Sequence, residues 1–191
     1  MNAKSDRGWS RVRAIAIACT ALPLGACYPH FDWRDVRPDC ARSWCGFVAS
    51  FPDRVSSVTR DIPVGSKRLP LSLDVVSLDG VTFAVGAFEL SSSEDEEPAR
   101  AVFERKLLDD VGATAARRGS VVLHAADHGE IAATTFDADG QRDGKAFMAS
   151  ARFAVRDRHL VEIVVVGPTA TLSGESGKQA IETFFTSLRL D

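Results

Sequence analysis

The residues able to do chemistry fall into a few groups. There are four cysteines, at positions 19, 27, 40 and 45. A thiol can be acylated, oxidised to a disulfide, or used as a metal ligand, and its surroundings decide which. Cys40 and Cys45 form an even pair with four residues between them, with no second pair and no nearby histidine, which is a poor zinc set. His124, Asp127, His128 and Glu130 crowd one segment and raise the question of a metal. Asp127-His128-Gly129, however, reads as the turn between two strands. Residues four apart along a strand are separated by about 13 Å, so one ion could hold both histidines only if the turn folded them together. Polar turn residues are the preferred reading, and no metal is assigned. Asp137 to Gly144 has the acidic spacing of a calcium loop, but its sixth position is Arg142 where glycine is needed and its twelfth is Met148 where glutamate is needed. A hairpin loop fits better. Gly174 to Lys178 lacks the following Ser or Thr and the leading glycine of a phosphate loop. No Gly-x-Ser-x-Gly, His-Glu-x-x-His or Cys-His set occurs, so no catalytic residue and no cofactor are assigned.

The most specific signal is Leu24-Gly25-Ala26-Cys27. Before it lie a basic stretch with Lys4, Arg7, Arg11 and Arg13, then an almost wholly apolar run over residues 14–24. These are the charged and apolar regions of a secretory signal, and the run is too short for a bilayer, which needs about 20 residues. The four residues resemble the lipobox of bacterial lipoproteins. That resemblance implies cleavage before Cys27, lipidation of Cys27, and a membrane tie through acyl chains; two chains suffice for stable anchoring. Residues 1–26 are then the signal peptide. Tyr28 is not the aspartate that retains such proteins in the inner membrane, so an outer-membrane lipoprotein facing the periplasm is expected. A plain secreted protein with a coincidental cysteine is the competing reading. In an exported protein disulfides persist, so a Cys40–Cys45 bridge is favoured over two free thiols.

The chain has 191 residues, 45% apolar and 26% charged, which suits one globular domain. Its net charge is −3, and loss of the basic leader makes the mature part more acidic still. That leaves no electrostatic footprint for a phosphate backbone, so no nucleic-acid partner is expected. Residues 27–43, broken by Pro29 and Pro38, read as a tether. Tyr28, Phe31 and Trp33 could sit at lipid headgroups or pack on the domain, which is expected over 44–191.

The elements that would position these residues begin with strands over 47–51 and 54–64. A hairpin follows, in which Leu69, Leu71, Leu73 and Val75 alternate toward Asp79-Gly80 and Val81, Phe83 and Val85 return. A three-residue loop, Leu78-Asp79-Gly80, would pair Val75 with Phe83 and Leu73 with Val85, giving one apolar face. Serines and acids at 91–97 start a helix whose stripe is Ala99, Val102, Phe103, Leu107 and Val111, with Gly112 as its stop. Strands follow from Val121 and from Ile131. A last hairpin centred on Asp157 would set Phe153 opposite Val161 and Arg152 opposite Glu162. Its second arm, apolar on both faces, reads as a central strand. Ser176-Gly177-Lys178-Gln179 has the form of a capping box before the stripe Ala180, Ile181, Phe184, Phe185 and Leu188.

The expected fold is therefore α+β. A mainly antiparallel sheet of about eight strands, in the order ββββ-α-ββββ-α, carries two helices packed on it. In this order, and in Phe47-Val48-Ala49-Ser50-Phe51-Pro52, Arg152 to Val155 with Glu162 to Val166, and Phe184 to Leu190, the chain resembles the PsbP-like or DcrB-like domains of bacterial envelope lipoproteins. The resemblance implies a PsbP-like layered sandwich and an accessory or binding role without catalytic residues. The expected function is a non-catalytic, membrane-anchored module with an envelope protein partner or a small ligand. The alternative is a metal-dependent hydrolase using the His124/His128 region.

Overall fold

The computed structural model describes residues 31–41 and 44–191. The leader expected over 1–26 and Cys27, the residue expected to be lipidated, lie outside them. The described chain is α+β with antiparallel sheets. Five strands come first: β1 (Arg34–Val36), β2 (Phe47–Phe51), β3 (Ser56–Val64), β4 (Lys67–Leu78) and β5 (Val81–Glu89). Helix α1 (Glu96–Val111) follows, then β6 (Arg117–His124), β7 (Glu130–Arg142), β8 (Lys145–Arg156) and β9 (His159–Pro168). The chain closes with α2 (Thr169–Leu172), α3 (Glu175–Ser187) and β10 (Arg189–Leu190).

Seven strands form one sheet in the order β3-β4-β5-β9-β8-β7-β6, and β1-β2-β10 form a small second one. The pairing of β5 with β9 joins the two hairpin series. Both strands are apolar on both faces, as central strands must be. One face packs under α1 through Phe88, Phe103, Leu107, Phe136 and Phe153. The other packs against α3 and β2 through Phe47, Phe51, Phe83, Ile163 and Phe184. The domain thus has three layers: helix, seven-stranded sheet, and a mixed layer of helices and the small sheet.

Helix α1 starts and stops where its sequence dictates. A 3₁₀ turn at Ser93–Asp95 leads into it, and the Asp95 carboxylate accepts the Ser92 N–H (3.0 Å) and a bond from Lys67 Nζ (2.6 Å). At the far end Gly112 takes the left-handed conformation, φ 67°.

Both hairpin registers differ from the sequence expectation, for one reason. Leu78 lies opposite Val81, so Val75 meets Ala84 and Leu73 meets Gly86. Arg156 lies opposite His159, so Phe153 meets Glu162 and Arg152 meets Ile163. The loops are the two-residue pairs Asp79-Gly80 and Asp157-Arg158, each with positive φ at both residues, the mirror-image turns that suit strand twist. Asp143-Gly144 makes a third between β7 and β8. A three-residue loop gathers the apolar residues on one face. A central strand has no need of that, since Val81, Phe83 and Val85 enter one core while Ala84 and Phe88 enter the other.

The last helix also begins differently from the capping-box reading. Gly174 is the residue before α3, and Ser176 lies within the helix with no side-chain cap. Packing against α2 sets this geometry: a Cβ on Gly177 would come within 2.3 Å of the Thr171 carbonyl oxygen.

At the front of the chain, Arg34–Val36 pairs with β2. The Phe31 and Trp33 rings pack edge-on against Phe83, centroids 6.1 and 6.0 Å away. Of the two places open to these aromatics, they occupy the one on the domain.

Candidate functional site

Helix α1 crosses over β7, β8 and β9 and leaves the β3-β4-β5 flank of that face less covered. A cavity of about 420 Å³ opens between them, within the size range of small-molecule sites. Strand periodicity lines it. Leu71, Leu73 and Val75 of β4, Ala84 and Phe88 of β5, and Val164 and Val166 of β9 all point to this side. Val102, Phe103 and Leu107 of α1 close it from above. The small residues of β5 make the room. A Cβ on Gly86 would already meet the Phe103 ring at 3.3 Å and Leu73 at 3.5 Å.

Glu162 sits among these apolar side chains, opposite Gly86 on one neighbouring strand and Phe153 on the other. It is 5% exposed, and its Oε1 is buried with no hydrogen-bond partner. Leaving such an atom unsatisfied costs about 1–3 kcal/mol. Burial pushes its pKa up to about 8; the negative charge of Asp110 adds to the rise and Lys106 opposes it. At neutral pH the group is therefore mainly the uncharged acid, able to donate one O–H and to accept.

Charges stand at the edges of the cavity. Lys106 Nζ bonds Asp110 one turn along α1. Arg142 lies over the Phe147 ring, 4.5 Å from its centroid, and donates to the Asp110 carbonyl oxygen (3.3 Å). Arg60 of β3 completes the set. The lining holds no histidine, cysteine or serine. An apolar slot with one convergent acid and a charged margin can hold and orient a ligand.

Sequence reasoning passed over this site. It placed Glu162 across from Arg152 on a charged face, whereas the two point to opposite sides of the sheet. Arg152 lies over the Phe185 ring at 4.2 Å, where burial lowers its pKa. The available signal was a single acid in the otherwise apolar run Leu160 to Val166, a strand already read as buried on both faces.

The other sequence candidates lie elsewhere. The Cys40 and Cys45 sulfurs are 2.08 Å apart, at disulfide distance, with Cα atoms 4.9 Å apart. Cys27 is outside the described residues. His124 and Glu130 face each other at the end of the β6–β7 pair, and both are exposed. His128 is an exposed turn residue with φ 65°, and Asp127 Oδ1 accepts the Gly129 N–H (3.1 Å). Among the described residues, no three His, Cys, Asp or Glu side chains come together as a metal site would require. His159 stacks on Trp44, centroids 5.0 Å apart, and its Nδ1 is 2.9 Å from the Asp157 carbonyl oxygen.

No protein-family model matches the chain, and no curated protein does. Among solved structures it is similar to a Pseudomonas aeruginosa protein of unknown function, at 15% identity and a TM-score of 0.34 over 66% of this chain and 95% of that one. A likeness that slight carries no argument about fold or role.

Proposed function

We propose that the chain is a lipid-anchored protein of the bacterial envelope, related to PsbP-like or DcrB-like domains, whose folded part is a non-catalytic binding module for a small amphipathic ligand. The anchor rests on Leu24-Gly25-Ala26-Cys27 behind its short apolar leader. An outer-membrane location facing the periplasm follows from Tyr28 after the cysteine. The binding role rests on one observation: a cavity under α1 with apolar walls and a charged margin that encloses a buried acid with an unpartnered oxygen. A group that is costly when left unsatisfied is well explained if a ligand satisfies it. No helix among the described residues is long and apolar enough to cross a membrane.

Intact mass spectrometry of the protein from membranes tests the anchor: a mature chain starting at acylated Cys27 is expected, and an unmodified chain starting elsewhere overturns it. Native mass spectrometry tests the binding role, with a co-purifying small molecule lost from a Gly86→Leu variant as the expected result. The hydrolase alternative finds little support in His124 and His128, which are both exposed, one at the end of β6 and the other in the turn that follows. Bound metal, with an activity abolished by chelator, would restore it.

A further inference from the structure

We infer that the cavity under α1 takes an apolar-tailed monocarboxylate, its carboxylate held between the Glu162 acid group and the Lys106 ammonium and its tail along Leu71, Leu73 and Val75. This inference deepens the binding role proposed above and rests on it.

The charges that line the cavity decide the sign of the ligand's head group. From α1 come Lys106 and Asp110, from the end of β7 Arg142, and from β3 Arg60. The strands beside it present Gly86 and Phe153. Three cations and one anion line the cavity, so with Glu162 protonated the lining carries a net positive charge, although Asp110, which is bonded to Lys106, is the charge felt most at Glu162 itself. An ammonium ligand would enter against that field. A carboxylate enters with it, accepts the Glu162 O–H in a charge-assisted bond, and draws further donors from Lys106. An uncharged polar head would satisfy Glu162 but would leave the cationic margin unused. The remaining walls are aliphatic and aromatic, which is why the rest of the ligand must be apolar.

Glu162 then also gates the site. Above pH 8 it ionises, and a carboxylate meets a carboxylate in a low-dielectric slot. An aliphatic carboxylate ligand is ionised throughout this range.

The test uses the purified full chain in phosphatidylcholine nanodiscs and octanoate carrying a photoreactive diazirine at its tail. The octylamine and octanol analogues serve as comparators, and labelled residues are mapped by mass spectrometry. The octanoate probe should label β4 and α1 around Leu71, Leu73, Val102 and Phe103, and free octanoate should compete. Labelling should fall roughly tenfold per pH unit above 8. Glu162→Gln, which keeps a donor, should label within about threefold of wild type and lose that pH dependence, whereas Lys106→Met should weaken labelling roughly tenfold. If octylamine or octanol labels the groove better than octanoate, the carboxylate assignment is overturned and the binding groove stands. If no probe labels it, both fall. The wild-type pH profile is itself a test that needs no variant.

Discussion

Glu162 makes the protein's stability depend on pH in an unusual direction. Its ordinary value is 4.5 and its folded value about 8, so between these the folded state holds a proton that the unfolded state has lost. Its contribution is complete below the lower value and disappears as pH rises through the upper one. The slope approaches about 1.4 kcal/mol per pH unit, with a ceiling of about 5 kcal/mol over the window. Thermal denaturation of the wild type should show a melting temperature that drops from pH 5 to pH 8, and Glu162→Gln should flatten that drop. Asp95 acts the other way. The Lys67 ammonium, and the Ser92 N–H behind it, hold its carboxyl below the usual range, so its contribution is present at neutral pH and lost in acid. Gly112 and Gly140 show a second residue-scale constraint. A Cβ on Gly112 would lie 2.1 Å from the Gln141 carbonyl oxygen, and one on Gly140 2.3 Å from that of Val111. Gly112 also needs φ 67°. Gly112→Ala should therefore destabilise by roughly 2 kcal/mol or more in a urea titration.

At the scale of elements, the turns decide more than the stripes. Asp157-Arg158 places both residues in the left-handed region, φ 45° and 62°, and Arg158 has no glycine's freedom there. Its ion pair with Glu89 (3.4 Å) is exposed and adds little. Arg158→Gly should raise stability by about 1 kcal/mol in chemical denaturation and leave the β8–β9 register intact. The same turns explain what could be read in advance. Strand positions, α1 with its Gly112 stop, and the antiparallel character all followed from period and punctuation. Register did not, because the pattern Leu69, Leu71, Leu73, Val75 fits a one-sided sheet as well as a two-sided one. Only the β5–β9 pairing, a contact between residues some eighty positions apart, settles that both faces are buried. Glu162 went unrecognised for the same reason, since its face depends on the register. The two-residue strand β10 was equally beyond local pattern; tertiary contacts alone define it, through Ala126 N–H to the Leu190 carbonyl oxygen (2.7 Å) and Asp191 N–H to that of Gly46 (3.0 Å).

At the scale of the molecule, β2 is the clasp between the two ends of the described chain, with β1 on one side and β10 on the other. Leu190 is fully buried, and Arg37 and Asp191 form an ion pair across the ends. Removing residues 189–191 should cost more than any surface substitution, on the order of 3 kcal/mol, seen as a lower melting temperature and faster hydrogen exchange in β2. Reducing the short Cys40–Cys45 loop should cost less, about 2 kcal/mol.

The clasp also sets a leash. Phe31 is already seated on Phe83, so only four residue steps separate it from Cys27, a reach of roughly 14 Å at full extension. An acylated Cys27 would hold the body against the lipid headgroups as a moored buoy rather than a kite. Its encounters would then be confined to molecules in the same leaflet or skimming its surface.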